Sequence, residues 1–173
     1  MNRLRIFIMV MAGLLTIAIV ARGETLQATL TGYEEVLPVS TVANGDFRAI
    51  IEDGGIADHF HYTLTYSGLQ GTVTQSHIHF GQLSVNGGII IWLCQTDTNK
   101  DPTGLAPQCP QEGTVTGRIT AANVLGQAGQ QFGVGDFAAA IAAMRASTAY
   151  ANVHTSPVST GGEIRGQIRV IGK

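Results

Sequence analysis

The sequence predicts an all-β fold, an antiparallel Greek-key β-sandwich or barrel with one short helix inserted near residues 136–146. Short apolar runs alternate with Gly, Asn and Asp turn signals along most of the chain. The segment His59–Tyr66 alternates strictly, with aromatic residues and leucine at every second position and His or Thr between them. This period of two is typical of a strand with one buried face.

The elements follow in order along the chain. Strands are predicted over residues 26–31, 46–51, 59–66, 72–80, 89–94, 114–119, 149–154 and 163–171. The run 89–94 is apolar almost throughout, which predicts burial on both faces. Asp136 is the predicted N-cap of an alanine-rich helix, because its carboxylate can accept from a backbone N–H of the first turn. Phe137, Ile141 and Met144 recur at helical spacing and are predicted to dock on the sheet.

Composition narrows the class of protein. The 173 residues suit a single domain large enough to bury a core. A net charge of −2 with 13% charged residues offers no basic surface, so nucleic acid is not an expected partner. With 45% hydrophobic residues, the 22 glycines indicate turns in a folded chain.

The N-terminal segment has the three-part pattern of a secretory signal peptide. Arg3 and Arg5 precede an apolar run from Ile6 to Val20, and Ala21-Arg22-Gly23 offers small residues for cleavage. We therefore expect a signal peptide over residues 1–23, a domain over 24–173 and no membrane span after cleavage. The alternative is an uncleaved anchor. Either way the domain is expected to be secreted, or to lie in the periplasm or cell envelope.

Export gives the two cysteines a predicted role. Cys94 and Cys109 are expected to form a disulfide in an oxidising compartment. A loop of about 15 residues closed in this way stabilises a fold by roughly 3 kcal/mol in the chain-entropy model. The alternative, a pair of thiolate metal ligands, lacks the short Cys-x-x-Cys spacing of zinc sites.

Three histidines are the candidate metal ligands. His77 and His79 are two residues apart in a predicted strand, so both imidazoles point to one face. With His154 brought beside them by the fold, they would form a surface-facing site for copper or zinc. The alternative is that these rings bond backbone carbonyls and neighbouring threonines and fix a loop.

Other polar residues are given structural roles. Glu163 and Arg165 share a face of the last strand, where Arg165 is expected to form an ion pair with Glu163, Glu34 or Glu35; the alternative is a cation presented to an anionic substrate. His59 and His61 are expected to be solvated. No Gly-x-Ser-x-Gly or phosphate-binding glycine loop is present in the sequence, so no catalytic residue is assigned.

The chain resembles the CHRD domain, a module named after chordin and found singly in many bacterial secreted proteins. The matching segments are Leu26–Val36 with Pro38, Tyr66–Leu69, His77–His79, Gly117–Thr120, Tyr150–Thr155 and Gly161–Ile168. The resemblance implies a β-rich extracellular or periplasmic domain. It implies no ligand, since growth-factor binding by chordin is credited to other modules. The cysteines and the His59/His61 pair are not part of the motif.

A remoter likeness is to copper-zinc superoxide dismutases. It rests on the order of a His-x-His strand, a Val-His pair and a Gly-x-x-Arg strand. By position it implies that His77, His79 and His154 bind copper and that Arg165 guides an anion. The chain departs from that pattern because no further histidine lies between His79 and His154, so the bridging and zinc histidines are missing.

Three functions are therefore compared. The interpretation we favour is a secreted CHRD-type binding module of undefined extracellular or envelope partner, which holds copper or zinc through the three histidines. The second is a copper-dependent redox enzyme of superoxide-dismutase type. The third is a purely structural envelope or matrix protein.

Overall fold

Antiparallel hydrogen bonding joins nine strands into one sheet in the computed structural model, which describes residues 23–52 and 58–172. The strands are β1 (Glu24–Thr31), β2 (Asn44–Ile51), β3 (His59–Ser67), β4 (Thr72–Phe80), β5 (Gly88–Cys94), β6 (Gly113–Thr120), β7 (Ala149–Ser156), β8 (Ser159–Gln167) and β9 (Arg169–Gly172). The helix α1 is Phe137–Arg145, and short 3-10 turns span Gly32–Glu34, Ala121–Asn123 and Ala128–Gln130. Nearly all of the predicted signal segment lies outside the described residues, so the leader stays a prediction.

The sheet curls into a nearly closed barrel, which confirms the predicted all-β class. The strand order is β5-β4-β7-β8-β1-β2-β3-β6, and β9 pairs with β1 beside β8. Alternate residues of each strand point inward, and because most of these residues are apolar, they form a hydrophobic core. In β3 the four inward residues are buried as predicted: Phe60, Tyr62, Leu64 and Tyr66. No helix of the described residues has the length and apolar character needed to cross a bilayer.

The helix α1 begins and docks as the sequence predicts. The Asp136 carboxylate accepts from the backbone N–H of Ala139 at 2.9 Å, which satisfies a donor of the first turn. Phe137, Ile141 and Met144 are buried in the core. The ring of Phe137 packs on that of Phe60 with centroids 6.0 Å apart, so the helix covers one end of the barrel interior.

A disulfide links Cys94, the last residue of β5, to Cys109, in the loop that leads to β6. This confirms the predicted pairing. Because β5 and β6 are the two terminal strands in the sheet order, the bridge ties the two sides of the barrel seam together. The Tyr62 hydroxyl donates to the carbonyl oxygen of Leu93 and links β3 to β5 across the interior.

The last predicted strand, residues 163–171, is in fact two strands. β8 pairs with β7 and ends at Gln167, whereas β9 begins at Arg169 and pairs with β1. The backbone N–H of Ile168, between them, donates to the carbonyl oxygen of Ala149. After this residue the chain leaves β7 and stays beside β1, which β8 also pairs with, while its alternation of apolar side chains continues, so the sequence pattern does not show the break.

Candidate metal centre

The outer face of β4, β7 and β8 is polar and yet largely buried. The inner-face residues of these strands include Ile78, Val153 and Ile164, which lie in the barrel core. The side chains that alternate with them point outward and are covered by loops. The outward residues are His77 and His79 on β4, Tyr150, Asn152 and His154 on β7, and Glu163, Arg165 and Gln167 on β8.

The fold brings the three predicted histidines together on this face. One ligand nitrogen from each of His77, His79 and His154 lies within 4.8 Å of the others. The ring centroid of His77 is 5.3 Å from that of His79 and 5.1 Å from that of His154. Strand pairing explains the convergence, since β4 and β7 are neighbours with His77 opposite Asn152 and Gln75 opposite His154.

His79 is held in one orientation by two contacts. Its Nδ1–H donates to the carbonyl oxygen of Gly87 at 2.9 Å. Its ring stacks on Tyr150 with centroids 4.7 Å apart and planes 2° apart. Because Nδ1 carries the proton, Nε2 carries the lone pair, and this atom is buried with no hydrogen-bond partner among the described residues.

His77 is the most deeply buried of the three, with no exposed surface. It packs edge-on against Trp92 with ring centroids 4.3 Å apart. Neither Nδ1 nor Nε2 has a hydrogen-bond partner within the described part of the chain. A buried imidazole that makes no hydrogen bond is uncommon in a native fold and calls for an explanation.

His154 lies at the edge of the cluster and is only partly buried. The amide Nδ2 of Asn152 donates to its Nε2 at 2.9 Å. His154 also lines a surface cleft of about 260 Å³, together with Thr74, Gln75, Asn99 and residues 155–157. This cleft gives solvent access to the side of the cluster that His154 forms.

Burial keeps the two inner rings neutral. Desolvation, with smaller contributions from His154 and His79, lowers the pKa of His77 to about 2. Desolvation likewise lowers the pKa of His79 to about 4, although the hydrogen bond to Gly87 and the nearby Asn152 side chain act in the opposite direction. Both imidazoles are therefore uncharged near neutral pH, which is the form that binds a metal.

Glu163 and Arg165 share the outer face of β8 and make hydrogen bonds to different segments of the chain. The Glu163 carboxylate accepts from the backbone N–H groups of Gln70 and Gly71 at 2.8 and 3.2 Å. It also accepts from the hydroxyls of Thr41 and Thr155 at 2.8 and 2.6 Å. Burial alone would raise the pKa of Glu163, but these four hydrogen bonds together hold it below its usual value.

Arg165 is fully buried and holds the loop between β4 and β5. Its guanidinium donates to the carbonyl oxygens of Gln82 and Val85 and to the side chain of Asn86. It lies over the Tyr150 ring at 3.4 Å, in cation–π geometry. The Arg165 guanidinium is thus bound to the loop that covers His79.

Comparison with known proteins places the fold in a family. A family model of the CHRD domain matches residues 26–168. The chain belongs to the CHRD family. No curated protein matches this CHRD domain. No solved structure matches it either, so the likeness to copper-zinc superoxide dismutases stays an expectation from the sequence.

Three neighbours of the histidine cluster were assigned no role from the sequence pattern. Tyr150 and Asn152 belong to the family segment Tyr150–Thr155, and both alternate with His154 along β7, which is the signal that places them on its face. Trp92 lies opposite His77 in the pairing of β4 with β5. The three histidines of this CHRD domain therefore contact two aromatic side chains, Trp92 and Tyr150, and the amide of Asn152.

Proposed function

We propose that this CHRD domain is an exported binding module that holds one copper or zinc ion through His77, His79 and His154. The observation that carries the proposal is the convergence of three imidazoles within 4.8 Å, two of them buried and uncharged. Imidazole nitrogen is a preferred ligand of both Cu(II) and Zn(II). Three protein ligands leave a further position open for water or a partner's ligand.

The unpartnered ring nitrogens favour a metal over the alternative of a loop-fixing cluster. A buried polar atom without a partner costs about 1–3 kcal/mol, so three such nitrogens on His77 and His79 are a substantial burden on the fold. Of the two rings, only His79 makes the backbone carbonyl contact that a loop-fixing role requires. A metal ion would satisfy one nitrogen of each ring, which leaves a single N–H of His77 without a partner among the described residues.

The contacts of His79 match those of metal-binding histidines in general. Such histidines usually donate the second ring N–H to a carbonyl or carboxylate, which fixes the tautomer and aims the other nitrogen at the ion. The bond from Nδ1 of His79 to Gly87 has this form. His154 differs, because the Asn152 amide donates to its Nε2 and a metal ion bound at that nitrogen would replace this hydrogen bond.

Binding is favoured over redox catalysis by the position of Arg165. An anion-guiding role needs a guanidinium that faces incoming solute. Arg165 is fully buried, donates hydrogen bonds to the 82–86 loop and lies over the Tyr150 ring. Its contacts thus support a role in holding the loop over the histidines, and a binding module fits this arrangement better than an enzyme.

The test is the metal content of protein purified without a polyhistidine tag and equilibrated with zinc or copper. The His154→Ala variant is expected to retain one ion fewer than the wild type. Asn99→Ala is the matched control, because Asn99 lines the same cleft and offers no imidazole. Equal metal content in His154→Ala and wild type, with unchanged circular dichroism, would overturn the proposal.

A further inference from the structure

A second group of potential ligands lies on the outer face of β3, away from the histidine cluster. His59 and His61 point outward from this strand, and Glu52 follows directly after β2, its neighbour. In the sheet order, β3 is separated from β7 by β8, β1 and β2. The group therefore shares no residue and no strand with the cluster formed by His77, His79 and His154.

The spacing of these three side chains suits a metal ion. One ligand atom from each of Glu52, His59 and His61 lies within 4.8 Å of the others. The Nε2 of His59 is 3.9 Å from Oε2 of Glu52. This separation is too long for a hydrogen bond, and a tetrahedral zinc ion with bonds of about 2.0–2.2 Å would bring the two atoms about 0.5 Å closer together.

A neighbouring carboxylate orients one of the two imidazoles. The Nδ1–H of His59 donates to Oδ1 of Asp58. The proton on Nδ1 leaves the lone pair on Nε2, the atom that lies toward Glu52. A carboxylate that accepts from the far nitrogen of a metal-binding histidine is one of the usual second contacts in zinc sites.

Charge at the group also favours a cation. Glu52 and Asp58 bring two carboxylates, whereas the cation in register with His61 is Arg118 on β6. Without a metal, the exposed contact between His59 and Glu52 at 3.9 Å contributes little to stability. That contact alone therefore gives no reason for the position of Glu52 beside His59.

We infer that Glu52, His59 and His61 form a second, surface site for a divalent zinc-like cation, with Asp58 as the residue that positions His59. Two imidazoles and one carboxylate are a ligand set that zinc accepts, with water in the fourth position. Because the ligands are partly or fully exposed, the site exchanges metal with solvent more readily than the buried cluster does.

The test is a zinc titration by calorimetry on protein purified without a polyhistidine tag, in the wild type and in a His154→Ala background. His61→Ala is expected to remove one zinc ion in both. Asp58→Asn is expected to keep the stoichiometry and to weaken this site about 10-fold, because it retains the ligands and loses the orienting carboxylate. Thr63→Ala, the next outward position of β3, is the matched control and should bind as wild type.

The outcomes separate this site from the buried one. A zinc ion that is lost with His61→Ala but not with His154→Ala supports the surface site, whatever the fate of the cluster. Imidazole NMR signals of His59 and His61 should shift on addition of one equivalent of zinc to the His154→Ala protein. Wild-type stoichiometry in His61→Ala, or unshifted signals of these two rings, would overturn the inference.

Discussion

The Nδ1–H of His79 donates to the carbonyl oxygen of Gly87 at 2.9 Å, across the loop that joins β4 to β5. The same loop accepts from Arg165 at Gln82 and Val85. This loop thus fixes the tautomer of His79 and accepts hydrogen bonds from the buried guanidinium of Arg165. Its conformation should therefore control metal affinity without any loop residue touching the metal.

Gly87→Ala tests this dependence. A Cβ at position 87 would lie 1.8 Å from the carbonyl oxygen of Phe80, so the backbone of the loop must move. Losing the Gly87 contact frees the His79 ring, and we expect the zinc affinity of the buried cluster to fall about 10- to 100-fold. Zinc titration by calorimetry measures the change.

The control for this substitution is Gly129→Ala. A Cβ there would meet no atom within 4 Å, so neither the fold nor zinc binding should change. If Gly87→Ala binds zinc as tightly as Gly129→Ala does, the loop does not orient His79.

Acid is expected to destabilise the metal-free protein in a window set by the two buried histidines. Their pKa values are lowered to about 2 for His77 and about 4 for His79, whereas in the unfolded chain both take up a proton near pH 6.5. As pH falls below 6.5, these two histidines bind protons in the unfolded state but stay neutral in the folded state. The free energy of unfolding should then fall by up to about 1.4 kcal/mol per pH unit for each histidine.

Urea unfolding of the Glu35→Gln variant at pH 7.5, 6 and 5 in the presence of a chelator measures this effect, because this variant lacks the buried carboxyl that titrates over the same range with the opposite sign. Saturating zinc should raise the melting temperature most at neutral pH, because protons compete with metal for the imidazoles. A free energy of unfolding that stays constant from pH 7.5 to 5 would show that these rings titrate normally in the folded protein.

Glu35 should have the opposite effect on stability. Burial raises the pKa of its carboxyl to about 8, and the Arg165 charge only partly offsets this. The folded state keeps the proton up to about pH 8, while the unfolded chain releases it near 4.5. Stability is therefore lost as pH rises through this interval, by up to about 1.4 kcal/mol per pH unit.

Glu35→Gln keeps the shape and removes the ionisable group. We expect the variant to be more stable than wild type at pH 8 and nearly equal to it at pH 5, by urea unfolding at both values. Glu34→Gln is the matched control, since Glu34 is the exposed neighbour. A stability difference between Glu35→Gln and wild type that does not change from pH 5 to pH 8 would contradict the shifted pKa.

The sequence predicted the ligand set more fully than its surroundings. The period of two in β3 and the His-x-His spacing in β4 show which side chains share a face of the strand. This can be predicted because it depends only on residues that are close in sequence. The prediction that the histidine site faces the surface is wrong for two of its three rings, since His77 has no exposed surface and His79 is 7% exposed. The outward side chains of β7 and β8 are covered by segments distant in sequence, such as the loop between β4 and β5. No local sequence pattern predicts such a contact.

The hydrogen-bond partners of the buried charged residues could not be predicted from the local sequence either. Glu163 and Arg165 share a strand face, which makes them possible ion-pair partners. In the fold, Glu163 accepts from Gln70 and Gly71, about 90 residues earlier in the chain, and Arg165 donates to the 82–86 loop. Backbone groups left unpaired by loops compete for these side chains, and their positions follow only from tertiary structure.

The disulfide between Cys94 and Cys109 should stabilise the barrel at its seam. The bridge closes a loop with a sequence separation of 15, for which the chain-entropy model gives about 3 kcal/mol. The loop also has its own anchor, because the Asp101 carboxylate accepts from the backbone N–H groups of Thr103, Leu105 and Ala106. Residual order of this kind in the reduced protein would make the loss smaller than the full loop-closure value.

We therefore expect reduction to lower the melting temperature by several degrees, consistent with a loss of up to about 3 kcal/mol. The measurement is thermal unfolding of metal-free protein with and without a phosphine reductant, in the presence of a chelator so that the reductant does not act through bound metal. Cys94→Ala/Cys109→Ala is the control, and its melting temperature should not respond to reductant. An equal melting temperature for oxidised and reduced wild type would mean that the seam is held by the β5 and β6 contacts and the Tyr62–Leu93 hydrogen bond without help from the bridge.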